Sequence, residues 1–270
     1  MNESGFINLR NSQAECKLAL WGANLLSYRP SGQKHDVFWL GERNKFDHIQ
    51  AIRGGVPVCW PRFAAETLNG ELPRHGFARI SDWKIENITA DSEQIAAEFS
   101  LPPQPEYALP ISAKLQLKIG NRLEYTLETA NHGEQEFCFS EALHCYFNIS
   151  SLENVVIKGL SGNQYTNSLT GEICTLAEDL RINGEFDAAF GGHSGAAQIV
   201  DFGYRRIIEI IKSGSNSTVV WNPAKDLAEM APEQYKNFVC VEPANQGNCF
   251  VRLPAGQTHR IAMSIQVKEL

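Results

Sequence analysis

Apolar and polar side chains alternate along residues 113–127, and the alternation is broken only at the pair Gly120 and Asn121. A period of two is typical of a strand with one buried face, and glycine at the first central position suits a two-residue turn. The segment therefore predicts an antiparallel hairpin. Similar alternation over residues 261–267 predicts another strand at the carboxyl end.

Other segments repeat this pattern, and sustained helical periodicity is rare. Residues 85–101 and 199–211 read as hairpins around polar or glycine-containing turns. The best helical segment, 226–236, starts at Asp226, which suits an N-cap, but Pro232 interrupts it. Many short strands with turns between them predict an all-β fold, a large antiparallel β-sandwich.

The length of 270 residues permits either two modest domains or one large one. Four prolines within residues 102–110 are compatible with a linker, but composition does not change across them and strands are predicted on both sides. We therefore interpret this stretch as a surface loop. Hydrophobic residues make up 43% of the chain, enough for a sizeable core. We predict a single domain over residues 1–270.

The charge balance restricts the partners. Twenty-four basic and 31 acidic residues give a net charge of −7, which would repel a nucleic-acid backbone or an anionic membrane. No segment approaches the roughly 20 apolar residues of a membrane-spanning helix, and the amino terminus lacks a secretory signal pattern. Seven cysteines without CxxC pairs fit reduced thiols rather than a disulfide framework or a zinc site. We expect a cytoplasmic protein without nucleic-acid or membrane partners.

Four arginines crowd a loop-rich stretch, IRGGVPVCWPRFAAETLNGELPRHGFAR, at positions 53, 62, 74 and 79. Guanidinium groups on glycine- and proline-rich turns suit bidentate binding of a phosphate or carboxylate. The alternative is that they are solvated surface charges. No phosphate-cradling Walker pattern is present, so a nucleotide is not indicated.

The segment FCFSEALHCYFNI predicts a strand with two unlike faces. Alternation places its large apolar side chains on one face and puts His144 with Ala142 and Tyr146 on the other. His144 is thus either a functional residue or a hydrogen-bonded polar-face residue. Glu141 has the opposite parity and is a weaker candidate for sharing a site with His144.

Two carboxylates complete the set of candidates. In FVCVEPAN, Glu242 reads as the last residue of an apolar strand stopped by Pro243, on the same side as Cys240. A carboxylate there is costly unless it is paired or used, so it is a salt-bridged or capping acid or a functional one. Asp187 reads as a turn residue within residues 159–195, a long glycine-rich segment interpreted as a functional or mobile loop.

The motifs together resemble those of the hexose-6-phosphate mutarotases, also called glucose-6-phosphate 1-epimerases, in the galactose mutarotase-like superfamily. The shared motifs, in chain order, are RGGVPVCWPRF, PRHGFAR, EALHCYF, FDAAF, VVWNP and FVCVEP. They run from Arg53 to Pro243 and, taken together in this order and spacing, are specific. The resemblance implies a large antiparallel β-sandwich with a sugar site on a concave sheet face.

The resemblance also implies roles for particular residues. It assigns the catalytic histidine to His144 and the catalytic glutamate to Glu242. The positions that contact the sugar and its phosphate fall on Arg53, His75, Arg79 and Asp187. Arg74 departs from the family pattern, in which the residue before HGFAR is smaller or uncharged, and it either adds a phosphate contact or faces solvent.

The implied reaction is the interconversion of α and β anomers of glucose 6-phosphate and related hexose 6-phosphates. Glu242 as base and His144 as acid suffice for the proton transfers, so we expect no metal and no cofactor, and a monomer acting on a small-molecule substrate. Two alternatives remain. A glycoside hydrolase would require two carboxylates flanking the scissile bond, and a sugar-phosphate-binding module would lack catalysis.

Overall fold

The computed structural model describes residues 5–65 and 71–270. Within them the chain is almost entirely β-structure, with four short 3-10 helices at Ala78–Ile80, Leu152–Asn154, Gln234–Asn237 and Gly247–Cys249. The strands are β1 (Phe6–Arg10), β2 (Ala14–Ala19), β3 (Asn24–Pro30), β4 (Val58–Cys59), β5 (Lys84–Ala90), β6 (Ile95–Ser100), β7 (Ile111–Ile119), β8 (Arg122–Asn131), β9 (Phe137–Phe139), β10 (Glu141–Leu143), β11 (Tyr146–Asn148), β12 (Val155–Lys158), β13 (Gln164–Asn167), β14 (Ile173–Thr175), β15 (Phe186–Gly191), β16 (Ala197–Asp201), β17 (Arg206–Ser213), β18 (Ser217–Asn222), β19 (Phe238–Asn245), β20 (Val251–Leu253) and β21 (Thr258–Glu269). None of the helices in the described ranges is long or apolar enough to cross a membrane.

Two large antiparallel sheets form the body of the molecule. The outer sheet has the order β12-β16-β17-β21-β8-β7-β6-β5. The site sheet has the order β14-β13-β15-β18-β19-β10-β4, and β11 also pairs with β19. Leu115 and Leu127 of the outer sheet share one hydrophobic core with Val220 and Val241 of the site sheet. This sandwich confirms the predicted fold class.

The strands predicted from alternation are confirmed. β7 and β8 pair from Ile111↔Asn131 to Ile119↔Leu123 around the Gly120–Asn121 turn. The segment 85–101 forms β5 and β6, 199–211 contains the β16–β17 hairpin, and 261–267 lies inside β21. The proline-containing stretch 102–110 is a loop, as predicted.

The segment 226–236, the best helical candidate in the sequence, does not form a helix over its length, in agreement with the interruption expected at Pro232. Only a 3-10 turn, Gln234–Asn237, forms at its end. The Asp226 carboxylate accepts a hydrogen bond of 2.6 Å from the Glu233 N–H, which closes a loop across Pro232 instead of capping a helix. A short polar side chain that binds backbone N–H groups stabilises such loops as well as it stabilises helix starts.

The glycine-rich segment 159–195 is not one long loop, because β13, β14 and β15 lie within it. Most of its glycines lie in the turns and loops that flank or separate these short strands, and the brevity of the strands hides the alternation. Asp187 accordingly lies in β15, opposite Trp221 of β18, and is not a turn residue.

Pro243 does not end its strand either, since β19 continues to Asn245. Pro243 pairs with Thr218 of β18 on one side. On the other side, β19 changes partner from β11 at Cys240 to β10 at Ala244, so Pro243 falls in a break between two ladders. A missing N–H is tolerated at such an interruption.

Candidate active site

The segment between β10 and β11 carries His144 to the site. The His144 N–H donates to the Pro57 carbonyl over 3.0 Å, and the Cys145 N–H donates back to the Leu143 carbonyl over 2.8 Å. Leu143 and Cys145 belong to the main core, whereas Tyr146 packs in a separate cluster on the other face of the sheet. The two faces are therefore divided by parity as the sequence predicts.

Glu242 lies on β19, with its side chain 1% exposed, and its Oε1 is 3.3 Å from His144 Nδ1. The two atoms are within ion-pair distance but not in hydrogen-bonding orientation. Neither His144 Nδ1 nor Glu242 Oε2 has a hydrogen-bond partner among the described residues. Because buried polar atoms are almost always partnered, these two indicate a place for the polar groups of a ligand.

Burial sets the protonation of the pair. Desolvation, with the Asp187 carboxylate adding to it, raises the pKa of Glu242 well above its ordinary value. Desolvation, followed by the charges of Arg79 and Arg53, lowers the pKa of His144 to about 3. Both shifts favour the neutral forms, so the empty site holds one proton on the pair, as carboxylic acid and neutral imidazole.

Aromatic rings fix the orientation of the imidazole. Tyr146 stacks on His144 at a centroid distance of 4.9 Å and an interplanar angle of 11°. Trp221 meets the same imidazole edge-on at 5.8 Å. A ring held on two sides is pre-organised for proton transfer, which requires accurate placement of the reacting nitrogen.

Arg53 is held at the site by two polar contacts. Its Nη1 donates to the Tyr146 hydroxyl over 3.1 Å, and its Nε lies 3.3 Å from the Glu229 carboxylate. The following Gly54 has φ +118°, and a Cβ there would lie 2.4 Å from the Trp39 carbonyl oxygen. Only glycine permits this close approach, which explains the glycine after Arg53.

His75 approaches the pair from a strained loop. It has φ +60°, and its ring meets that of His144 edge-on at 5.7 Å. Its Nδ1 accepts a hydrogen bond of 3.3 Å from the Ala64 N–H, which leaves the proton on Nε2. Desolvation by burial, with the positive charges around it, lowers the pKa of His75 far below its ordinary value and keeps the ring neutral. A Cβ on Gly76 would lie 2.0 Å from the Trp60 carbonyl oxygen, so the backbone requires the glycine of the HG pair.

Two further arginines and Asp187 complete the surroundings. Arg79 Nη2 donates to the Arg74 carbonyl over 2.9 Å, and its buried Nε is without a partner among the described residues. Arg74 is exposed, and its charge acts on His144 and on Asp187. Asp187 is partly buried, and burial raises its pKa. Electrostatic interactions thus link the seven predicted site residues into one connected group. Arg62, by contrast, donates to the Leu72 carbonyl.

Sequence reasoning missed two residues that position the site. Tyr146 shares the predicted polar face with His144, so alternation could have identified it. Glu229, the partner of Arg53, lies in an irregular loop and had no signal. Its distance from Arg53 along the chain hides the pairing.

The structure also reveals a group of side chains with metal-ligand chemistry. Ligand atoms of His144, Cys240 and Glu242 all lie within 4.8 Å of one another. The sequence shows no metal-ligand cluster, because His144 lies far along the chain from Cys240 and Glu242, which share β19. Their spacing is a property of the β11–β19 pairing, which aligns Tyr146 with Cys240.

Comparisons with known proteins agree with this geometry. The family model described as Aldose 1-epimerase matches residues 6–266. A provisionally named glucose-6-phosphate 1-epimerase of Escherichia coli is 33% identical over 260 residues, which covers 90% of this chain and 84% of that protein. A relative of Haemophilus influenzae with the same provisional name is 30% identical over 224 residues, covering 83% of this chain and 78% of that protein.

A solved structure gives the same result. The crystal structure of a provisionally named mutarotase of Salmonella typhimurium superimposes with a TM-score of 0.90 at 29% identity, covering 98% of this chain and 90% of that chain. The predicted resemblance, fold and enzyme class, an epimerase, are confirmed. From its match along nearly the whole chain, the protein belongs to the aldose 1-epimerase family.

Proposed function

We propose that the protein is a hexose-6-phosphate mutarotase, which interconverts the α and β anomers of glucose 6-phosphate and related hexose 6-phosphates. The observation that carries the proposal is the buried Glu242–His144 pair, whose atoms lack partners and whose surroundings supply three arginines. The relatives named as glucose-6-phosphate 1-epimerases support the phosphate as part of the substrate.

In the proposed reaction, Glu242 takes the proton of the anomeric hydroxyl while His144 donates a proton to the ring oxygen. The bond between C1 and the ring oxygen breaks, and the open-chain aldehyde forms. Rotation about the C1–C2 bond exposes the other face of the carbonyl, the ring closes, and both protons return. No atom is gained or lost, and the two groups end in their starting protonation states.

Substrate binding prepares the pair for this role. The empty pair favours the neutral form, with its proton on Glu242. A sugar hydroxyl that donates to Glu242 and a ring oxygen that accepts from His144 each form a hydrogen bond with the charged form. These two bonds favour the carboxylate and imidazolium that the reaction requires, so activation depends on the sugar being in place.

We assign the 6-phosphate to Arg53 and Arg79, with Arg74 at the exposed edge. Arg53 keeps a fixed orientation through Glu229 and Tyr146, and the unpartnered Nε of Arg79 has a free donor. His75 and Asp187 are assigned to sugar hydroxyls, which their donor and acceptor atoms suit. We further propose that the chain acts as one domain and as a monomer.

The direct test adds purified protein to freshly dissolved α-glucose 6-phosphate and follows the approach to anomeric equilibrium by NMR. We expect a faster approach to the same final α:β ratio. A sugar-phosphate-binding module would leave the rate at its spontaneous value, and a glycoside hydrolase would release sugar from a glycoside. Either result would overturn the proposed activity.

A further inference from the structure

Cys240 places a sulfur atom beside the proposed acid/base pair. Its Sγ and the ligand atoms of His144 and Glu242 lie within 4.8 Å of one another, and Cys240 is fully buried. The mechanism proposed above uses the imidazole and the carboxylate but gives the thiol no task. Among the described residues this is the one such group of His, Cys, Asp and Glu side chains.

The three donor types match the preferences of Zn²⁺, which binds thiolate sulfur, imidazole nitrogen and carboxylate oxygen. With Zn–S near 2.3 Å and Zn–N near 2.0–2.1 Å, tetrahedral ligand atoms lie roughly 3.5 Å apart. His144 Nδ1 and Glu242 Oε1, at 3.3 Å, already meet that spacing. The sulfur lies no more than 4.8 Å from the other two ligand atoms, so it must move closer to reach the tetrahedral spacing.

The second observation is that two of the candidate ligands are unpartnered. His144 Nδ1 and Glu242 Oε2 are buried and have no hydrogen bond among the described residues. Their lone pairs can be given to a cation without breaking a protein hydrogen bond. Buried donors of the types that bind zinc, two of them without hydrogen-bond partners in the described part of the chain, point to a ligand that accepts lone pairs.

We propose that His144, Cys240 and Glu242 form an inhibitory Zn²⁺ site. On binding, the Cys240 thiol and the Glu242 carboxylic acid each release a proton to solvent, the Zn–S and Zn–O bonds form, and the fourth position is filled by water or a substrate hydroxyl. The metal binds the lone pairs of both the base, Glu242, and the acid, His144. These two groups therefore cannot transfer protons while the metal is bound. The inhibition rests on the proposed function, whereas the metal binding does not.

The binding test uses Co²⁺, which replaces Zn²⁺ in tetrahedral sites and gives visible absorption. We expect one Co²⁺ per chain, with a thiolate-to-cobalt charge-transfer band that is lost when Zn²⁺ is added. Cys240→Ala and Cys240→Ser should lose the band while still unfolding in one cooperative thermal transition, which shows that the variants are folded. Cys249→Ser, which changes a partly exposed thiol elsewhere, should keep it. A band that survives in both Cys240 variants, or that is absent in the wild type, would overturn the site.

The inhibition test measures anomer exchange with and without buffered free Zn²⁺ and reports the ratio of the two rates. We expect at least a tenfold loss in the wild type and in Cys249→Ser, reversed by a chelator, and a ratio near one in Cys240→Ala. Equal inhibition of Cys240→Ala would contradict the proposal. If the wild type binds Co²⁺ through sulfur but shows no exchange activity at all, the metal site stands and the mutarotase function is wrong.

Discussion

The outer sheet and the site sheet are both built from antiparallel strands, but they differ in how exposed the face is that points away from the shared core. In β7 the residues from Ala113 onward alternate between buried and exposed, whereas all eight residues of β19 are buried. The outer sheet turns its polar side chains to water. Around β19 the site sheet is covered on both faces, so the polar side chains on the second face of this strand, Glu242 among them, are held away from water.

The charged pairs of the two sheets show the consequence. On the outer sheet, Lys118 and Glu124 lie 3.1 Å apart with about half of each side chain exposed, and such pairs contribute roughly 0–1 kcal/mol. In the site sheet, Glu242 and His144 lie at a similar distance but are almost fully buried, and their pKa values shift strongly in opposite directions. The same contact is a minor stabilising feature in one sheet and, in the proposed mechanism, the reacting pair in the other.

The largest expected effect comes from exchanging one carboxylate in each sheet for an amide. Glu242→Gln removes the proposed base and should lower the exchange rate by about two orders of magnitude or more, as should His144→Ala. Glu128→Gln removes the ion pair with Arg260 on the outer sheet and should leave the rate within about twofold. Exchange NMR of the folded variants measures both. A normal exchange rate in Glu242→Gln would show that the buried carboxylate of the site sheet is no more important for the reaction than the Glu128 carboxylate of the outer sheet.

For a core residue of the outer sheet we expect a substitution to change stability without changing the exchange rate. Leu127 is fully buried, and Leu127→Ala should lower the free energy of unfolding by about 2–5 kcal/mol. The exchange rate per folded molecule should stay near that of the wild type, because the side chain lies outside the site. Denaturant unfolding and the rate together test this, and a large rate loss in the folded fraction would mean that the sheets are coupled.

Arginines allow a third comparison. Arg53→Ala and Arg79→Ala should each raise the Michaelis constant for glucose 6-phosphate about tenfold to a hundredfold, since charge-assisted hydrogen bonds to phosphate contribute about 1.5–3 kcal/mol. Exchange of free glucose should change less. Arg260→Ala, on the outer sheet, serves as the matched control. The rise in the Michaelis constant caused by Arg74→Ala should lie between that of the control and that of Arg53→Ala or Arg79→Ala. Equal losses of exchange efficiency with glucose and with glucose 6-phosphate would show that these arginines do not bind the phosphate.

The smallest effect is expected from pH over the mildly acidic range. A second proton on the pair removes the base, and this step follows the pKa of His144, which burial lowers to about 3. Loss of the last proton removes the acid, and the raised pKa of Glu242 moves this step upward. Between these two protonation steps, kcat/KM, calculated from the concentration of the substrate dianion, should change by less than about threefold from pH 5 to 6.5. An acid limb centred near the ordinary histidine pKa of about 6.5 would contradict the buried, coupled pair.

The two sheets also differ in how many of their strands can be predicted from the sequence. The hairpins of the outer sheet follow from period-two alternation, since solvent on one face imposes the polar residues. β13, β14 and β15 escaped this reasoning because they are short and separated by glycine turns. Pro243 was misread for a related reason, since only the change of partner strand along β19 makes it acceptable.

For the site, parity within each of two segments places His144 among small and polar residues and Glu242 beside Cys240, and the motif resemblance assigns the roles of His144 and Glu242. Sequence gives no access to the 3.3 Å separation of the pair, to the approach of Cys240 to His144, or to Glu229 behind Arg53. These depend on contacts between distant strands and loops. Local periodicity does not contain them.

The most direct test of the account is two-dimensional exchange NMR at anomeric equilibrium, with glucose 6-phosphate and free glucose in parallel samples of wild type and Glu242→Gln. The account predicts cross-peaks between the α and β anomers of glucose 6-phosphate that grow with wild-type concentration, much weaker ones for glucose, and spontaneous rates with Glu242→Gln. Equal acceleration of both sugars would contradict the phosphate clamp. Full acceleration by Glu242→Gln would contradict the buried acid/base pair itself.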